Sequence, residues 1–460
     1  MKLHAHADYA TAAGLRYNMT TQDSAMTLNA NVRDFMLNGL DFDFRHMQVD
    51  IGRAGVVGGD VNIYFNPDIV AEKEENDSAS MALVVNADLI TIDSLNYSMQ
   101  MLPTIDTLDV SVLHAELHKG YVNTGTCRVD AQYLLVDGVD ATYLLPSAEY
   151  LASHPISEVA DSVSVTPDSL LWTIRGDKVE LRNAAGLYAV SGMKPAPGLD
   201  FNYLQGDSLG FIIENLYNRG MEIRVPIKHI QGRERSGLII VSGKGVFAMD
   251  STKMQVENFK LSTPASALRL DALIGNGVFE QKPQSQLSVD AQLSLAVSDL
   301  ERAFPQYSSY LNRLGSDNSI NLRADVAGPL SELTVDTIGL NIPGVTNLLL
   351  RGNINYPMDA KKRVGNLTLD GNTWNLNRFK SLFLDKASAE QFNLIATSIR
   401  GKINMRGDTY GTNMRVAAGG GAAVLAGTVN LLNEAYKVNI DATRLPIDKV
   451  MPKSSFGTLT

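Results

Sequence analysis

From Leu287 to Val297 an apolar residue stands at every second position, and this alternation limits the possible folds more than any other feature of the chain. Leu287, Val289, Ala291, Leu293, Leu295 and Val297 are apolar, with Ser288, Asp290, Gln292 and Ser294 between them. Successive side chains of a strand point to opposite faces, so the run describes a strand with one apolar and one polar face. At Ser298 the period changes. Ser298 and Glu301 have capping-box spacing, which predicts a short helix with Leu300 and Phe304 on one side, stopped or kinked by Pro305. The phrase returns at Tyr436–Pro452. Tyr436, Val438, Ile440 and Ala442 correspond to Val289, Ala291, Leu293 and Leu295 at a constant offset of 147 residues (436 against 289). Ile447, Met451 and Pro452 then correspond to Leu300, Phe304 and Pro305, with Pro446 as first helical residue in place of the serine cap. A one-sided strand entering a short helix is thus a repeated module.

A second phrase, strand–proline–strand, occupies Val256–Ala272 and Ile338–Gly352 at a spacing of about 80 residues. Short alternating runs fill much of the remainder: Met26–Val32, Leu40–Phe44, Val61–Phe65, Ala87–Thr91, Leu108–Val112, Val129–Tyr133, Leu170–Ile174 and Ser319–Val326. Ala71–Ser80 is acidic and aperiodic and reads as a loop, and Gly192–Asp200, rich in Pro and Gly, is the best internal boundary. The expected organisation is strand segments over 1–70 and 81–191 around a loop at 71–80. Modules at 192–305 and 306–452 follow, and 453–460 begins another. Helical composition is confined to Ser147–His154, Asp299–Leu314 and Lys380–Phe392. That is too little to cover so much one-sided, mostly antiparallel sheet, so a second sheet or a hydrocarbon ligand must do it.

The 50 acidic and 40 basic residues leave a formal charge of −10, which argues against nucleic acid as the main partner. Cys127 is the only cysteine and reads as a small buried filler; an intrachain disulfide and a cysteine-based zinc cluster are excluded. No stretch approaches the ~18–20 apolar residues of a membrane-spanning helix. The N-terminus lacks the apolar core of a signal peptide and already alternates from Leu3, so the chain reads as an excerpt of a longer protein. His4-Ala5-His6 with Asp8 has the look of a metal pair, but His46, His114, His118, His154 and His229 are scattered, which favours a solvated strand face. Gly243-Lys244-Gly245 and Gly275-Asn276-Gly277 read as hairpin turns. Asp88, Asp93, Asp106 and Asp109 fall on the wet sides of strands. Arg219, Arg224, Arg233 and Arg235 form a small basic cluster, solvated or in contact with a headgroup or partner. No nucleophile, base and orienting group converge in any motif, so no enzyme, cofactor or metal site is expected.

The repeated phrases at Leu287–Pro305 and Tyr436–Pro452, with Gly328–Leu333 (GPLSEL) and Tyr217–Ala248, resemble the AsmA-like and TamB-like envelope proteins of Gram-negative bacteria. The likeness covers a good part of the C-terminal half and is closest to the middle of a TamB-type chain. It implies an elongated, twisted antiparallel sheet of irregular repeats, curled into a taco-like apolar groove with few short helices. It implies a periplasm-spanning bridge that conducts phospholipid acyl chains between inner and outer membrane and serves outer-membrane biogenesis. The inner-membrane anchor and the contacts to an outer-membrane barrel partner would lie outside this chain. The groove-lining residues expected are Leu287, Val289, Ala291, Leu293, Leu295, Ile320, Leu322, Val326, Leu348, Leu350, Ile354, Val438 and Ile440. The rival readings are a β-sandwich binding or adhesin-like module, in which two sheets cover each other, and a carbohydrate-active β-helix enzyme.

Overall fold

The computed structural model describes residues 4–21, 25–66, 82–101, 105–153, 171–315, 318–373, 397–418 and 420–444, with Lys380 and Glu390. The chain is mostly β, an open, antiparallel-rich sheet fold with few short helices. It divides into two compact units, Met1–Phe247 and Ala248–Thr460. The stretch 191–202 is not this division; it links two strands that pair with each other.

In the first unit the strands are β1 (His4–Thr20), β2 (Met26–Asp43), β3 (Gln48–Phe65), β4 (Val84–Met101), β5 (Asp106–Asn123) and β6 (Arg128–Leu145). The short helix α1 (Ala148–Ser153) precedes β7 (Thr173–Val190), β8 (Tyr203–Arg219), β9 (Glu222–Glu234) and β10 (Ile239–Met249). Neighbours pair antiparallel from β1 to β3, from β4 to β6 and from β7 to β9. The pairing is mostly antiparallel, as expected, with two parallel seams, β3–β4 and β6–β7. Parallel neighbours need a crossover, and residues 66–83 and 146–172 supply the chain for it. The expected loop at 71–80 lies outside the described residues. The unit therefore repeats a three-strand module: the starts move from 4 to 84, from 26 to 106 and from 48 to 128, an offset of 80 residues each time.

The runs Met26–Val32 and Leu40–Phe44 belong largely to one 18-residue strand, β2, and not to two strands. What interrupts the alternation is a bend. One line of residues with left-handed backbone crosses the sheet at Gly39 (φ 65°), Lys119 (49°) and Asn215 (59°), and another at Gly14 (65°), Gly58 (69°), Ser94 (58°), Gly138 (67°) and Asn183 (50°). Such a residue turns the chain out of the pleat. Ladder pairing skips these lines: Ala7↔Leu40 is followed by Tyr9↔Asn38, and Ala13↔Asp34 by Leu15↔Val32. On a flat strand residues i and i+3 face opposite sides. Here they converge, since a Cβ on Gly120 would lie 3.0 Å from Leu117 Cδ2, and one on Gly176 would lie 3.1 Å from Val179 Cγ2. The strands are folded toward that side. The apolar set follows by stepping three residues at each bend, as in β4, where Val85 and Ala87 give way to Ile90 and Ile92 and then to Leu95, Tyr97 and Met99. It stays on the concave side throughout.

The second unit is an antiparallel ladder throughout its described strands. They are β11 (Lys253–Ser262), β12 (Ala267–Gly275), β13 (Gln286–Ala296), β14 (Ser319–Pro329), β15 (Leu333–Ile342), β16 (Thr346–Asn355), β17 (Val364–Thr373), β18 (Thr397–Arg406), β19 (Thr409–Ala418), β20 (Gly421–Asn430) and β21 (Tyr436–Thr443). The two strand–proline–strand phrases are the hairpins β11–β12 and β15–β16, and both carry a bulge in the first strand, between Val256 and Phe259 and between Val335 and Ile338. Gly275–Gly277 leaves β12 for a turn, as expected, but Gly243–Gly245 lies inside β10. Gly401 allows β18 and β19 to approach closely: a Cβ there would fall on the carbonyl oxygen of Asn413 and 2.6 Å from Met414 Cα.

The helix after β13 starts two residues earlier than the capping box predicts. It runs as α2 (Val297–Ala303), and its N-cap is Ala296, with no side-chain cap. The Ser298–Glu301 capping box is not formed. Asp299 instead turns inward, 4% exposed, and accepts hydrogen bonds from Thr263 Oγ1 (2.5 Å), Ser266 Oγ (2.7 Å) and Arg302 Nη1 (3.0 Å). Pro305 ends the helix as expected and opens a single 3₁₀ turn, after which α3 (Ser308–Leu314) follows. Val297, Leu314, Ile342 and Val345 pack together over one end of β13–β15. In the second module copy only the strand is described; Ile447, Met451 and Pro452 lie outside the described residues, as does nearly all of Lys380–Phe392.

Candidate functional site

Pairing in the second unit aligns apolar residues in rows that cross the strands. One row runs Leu268–Leu293–Leu322–Leu340–Leu348. Beside it lies Leu270–Ala291–Ala324–Ile338–Leu350–Leu369, continued by Gly401, Met414, Leu425 and Ile440. Directly opposed residues share a face, so all thirteen predicted groove positions stand on one side of the ladder. Leu287, Val289, Ala291, Leu293 and Leu295 come from β13. Ile320, Leu322 and Val326 come from β14, Leu348, Leu350 and Ile354 from β16, and Val438 and Ile440 from β21. Ser288, Asp290, Gln292, Asn439 and Asp441 have the opposite parity and occupy the other face.

This apolar side is only partly covered by protein. Helices α2 and α3 pack at one end, against Ile320 and Leu340, and Val278 and Leu330 pack at the other, against Leu287 and Val326. Farther along, Leu322 remains 40% exposed, and Ile440 64%. In the first unit α1 buries none of its residues. The concave side there includes a hollow of about 410 Å³ lined by Ala141, Tyr143, Tyr188, Leu204 and Leu209. Tyr143 and Tyr188 stack in it with ring centroids 5.9 Å apart. Sequence reasoning missed every lining residue of the first unit, although the 80-residue repeat was a signal that could have aligned them.

The convex side of the first unit's central panel is charged. Glu180, buried, is held at about 2 by hydrogen bonds from Arg182 Nε (2.6 Å), Lys178 Nζ (2.8 Å) and Tyr133 Oη (3.1 Å), which together overcome its burial. His114 lies between Asp93 (2.7 Å) and Glu116 (3.1 Å), and its pKa is raised mainly by the Asp93 hydrogen bond. Glu116 also meets His118 at 2.8 Å, and that contact most lowers its own pKa. A histidine raised in the folded state stabilises fully below its unfolded pKa and loses that contribution as pH climbs through the folded value. The melting temperature of the first unit is therefore expected to fall as pH rises from about 6 to about 8. A His114→Gln variant should have a shallower slope, the remainder belonging to His6, whose pKa the Asp8 hydrogen bond raises; a slope unchanged in the variant would show the His114 contact to be without effect.

Other sequence candidates lie elsewhere in the first unit. His6 Nε2 meets Asp8 at 3.1 Å and His4 Nδ1 meets Asp41 at 3.2 Å, each on an exposed strand. No cluster able to hold a metal ion exists among the described residues. Arg235 anchors the β7–β8 connection through the carbonyls of Ala196 and Gly198, both at 2.9 Å. Cys127 is buried in the turn before β6. Comparison of the chain with family models, with curated proteins and with solved structures found no match.

Proposed function

We propose that the chain is a segment of a bridge-like lipid-transfer protein whose apolar sheet faces carry phospholipid acyl chains. The observation that supports this is the unbroken run of apolar cross-strand rows on a side that protein caps at the two strand ends and leaves open between them, where Leu322 is 40% exposed. A row of leucines with water above it is unfavourable by ~0.8 kcal/mol for each methylene that a neighbour could bury. An acyl chain supplies that neighbour and can slide, because successive rows offer it nearly the same contact. Headgroups remain in water along the open side, so no polar group needs to be desolvated. A sandwich module is the weaker reading, because among the described residues the extensive contacts of each strand are with its ladder neighbours. On this reading the chain lies in the periplasm, anchored to the inner membrane by a segment beyond this sequence. It meets an outer-membrane barrel partner through other regions, needs no cofactor and catalyses no reaction.

The test is a photoreactive residue at position 350, mid-row on β16, activated in cells and followed by mass spectrometry of the crosslinked adduct. Phospholipid adducts at 350 and none at 349, on the opposite face, are expected. Equal labelling at both positions, or none at 350, would overturn the proposal.

A further inference from the structure

The polar face of β12–β16 holds a second feature that the lipid reading does not use. Arg269 on β12 and Arg323 on β14 stand on either side of Gln292 of β13 in a single cross-strand row. Two strand spacings separate their backbones by about 9.6 Å, which lets both guanidinium groups reach a small oxyanion held above Gln292. The row begins with Lys260, directly opposite Arg269, a like-charge pairing that disfavours the bare sheet. None of these three cations has an ion-pair partner among the described residues, whereas Arg302, Arg363 and Arg400 are paired to Asp299, Asp408 and Asp370. Gly339 continues the row on β15, and Leu349 of β16 leans over it: a Cβ there would lie 3.2 Å from Leu349 Cδ2 and 3.8 Å from Arg323 Cβ.

Two residues along each strand a row of hydrogen-bonding groups runs parallel to the cations: Ser294, Asn321, Asn341 and Asn347, each opposite the next. Between the two rows is a hollow of about 410 Å³, whose lining includes Arg269, Gln292, Arg323, Asn321 and Asn341, with Leu349 as an apolar wall. On the far side of the cations Asp271, Asp290 and Asp325 are also in register, which repels ligands carrying many negative charges. We propose that this hollow binds a single phosphate or carboxylate carried on a hydroxylated body, the chemistry of a sugar phosphate. The anion takes the arginine fork, and the hydroxyls exchange hydrogen bonds with the asparagine amides, which both donate and accept.

The experiment is titration calorimetry on the full chain with glucose 1-phosphate, glucose and inorganic phosphate. Saturable binding of glucose 1-phosphate is expected, with glucose and inorganic phosphate each at least ~10-fold weaker. The double variant Arg269→Gln, Arg323→Gln should lose ~10-fold or more in affinity for glucose 1-phosphate with an unchanged circular dichroism spectrum. Gly339→Val, which fills the hollow and leaves every cation in place, should lose binding as well and serves if the double variant does not fold. Unaltered affinity in the variants, or no saturation at about 10 mM, would overturn the site. Inorganic phosphate binding as tightly as glucose 1-phosphate would overturn the sugar component. None of these outcomes depends on lipid capture on the other face.

Discussion

Leu293→Asp is expected to remove acyl-chain capture at position 350 while leaving the second unit folded. Leu293 sits between Leu268 and Leu322 in the middle of a leucine row. A carboxylate kept dry there costs several kcal/mol, so a chain passing over it either leaves the row or pays that cost at every transit. With the face empty, water hydrates the new carboxylate, because the neighbouring Leu322 is 40% exposed. Folding should therefore lose no more than about 1–2 kcal/mol, the scale of one surface-lying apolar contact. Thermal melting and photocrosslinking read the two effects separately. A cooperative melt near the unaltered temperature with at least ~10-fold fewer adducts fits the open groove. Collapse of the fold fits a sealed core instead.

Asp299→Ala should have the opposite signature, a large loss of local stability with the apolar rows intact. Its side chain is 5% exposed and joins α2 to the β11–β12 turn through Thr263 and Ser266. Ser266 Oγ in turn accepts from the Ala296 amide, so one carboxylate orders the turn, the strand end and the helix start together. Removing it leaves Thr263 and Ser266 without their acceptor in a dry place, at about 2–4 kcal/mol. Hydrogen exchange should quicken in residues 297–303 and 308–314 while β16–β18 stay protected. Uniform acceleration across the unit would show that the helices are part of one cooperative core, and no change would show the network to be dispensable.

How far the sequence could be read depended on strand length. In the second unit the strands have about ten residues without a bend line, so period two survives from end to end except at the bulges of β11 and β15, and places Leu293 and Leu350 on one face. In the first unit the long strands β1–β8 pass two bends and the parity resets, so Leu40 and Leu37 serve the same concave side although they lie three apart. Glycine announces some of those bends, at Gly14 and Gly39. At the equivalent places of the next module stand Ser94 and Lys119, residues that carry no turn signal of their own. The parallel seams were hidden for a related reason, since nothing in the alternation of β4 reveals which direction its neighbour runs. The helix after β13 shows a third kind of miss. Ser298 and Glu301 satisfy a local capping rule, but Asp299, between them, has better partners 33 and 36 residues away. The cation row was invisible in one dimension because Arg269, Gln292 and Arg323 meet only when three strands come into register.

The two parallel seams also bear on how the first unit assembles. Within a module every pairing closes a turn of a few residues, so β1–β3 and β4–β6 can each zip by local steps. Joining β3 to β4, or β6 to β7, must await closure of the longer stretches 66–83 and 146–172, and that entropy is spent before the seam returns any contact. The seams are thus late-forming joints between early-forming triplets. The same order in reverse makes them the places where the sheet parts first under tension, shedding whole modules and not single strands.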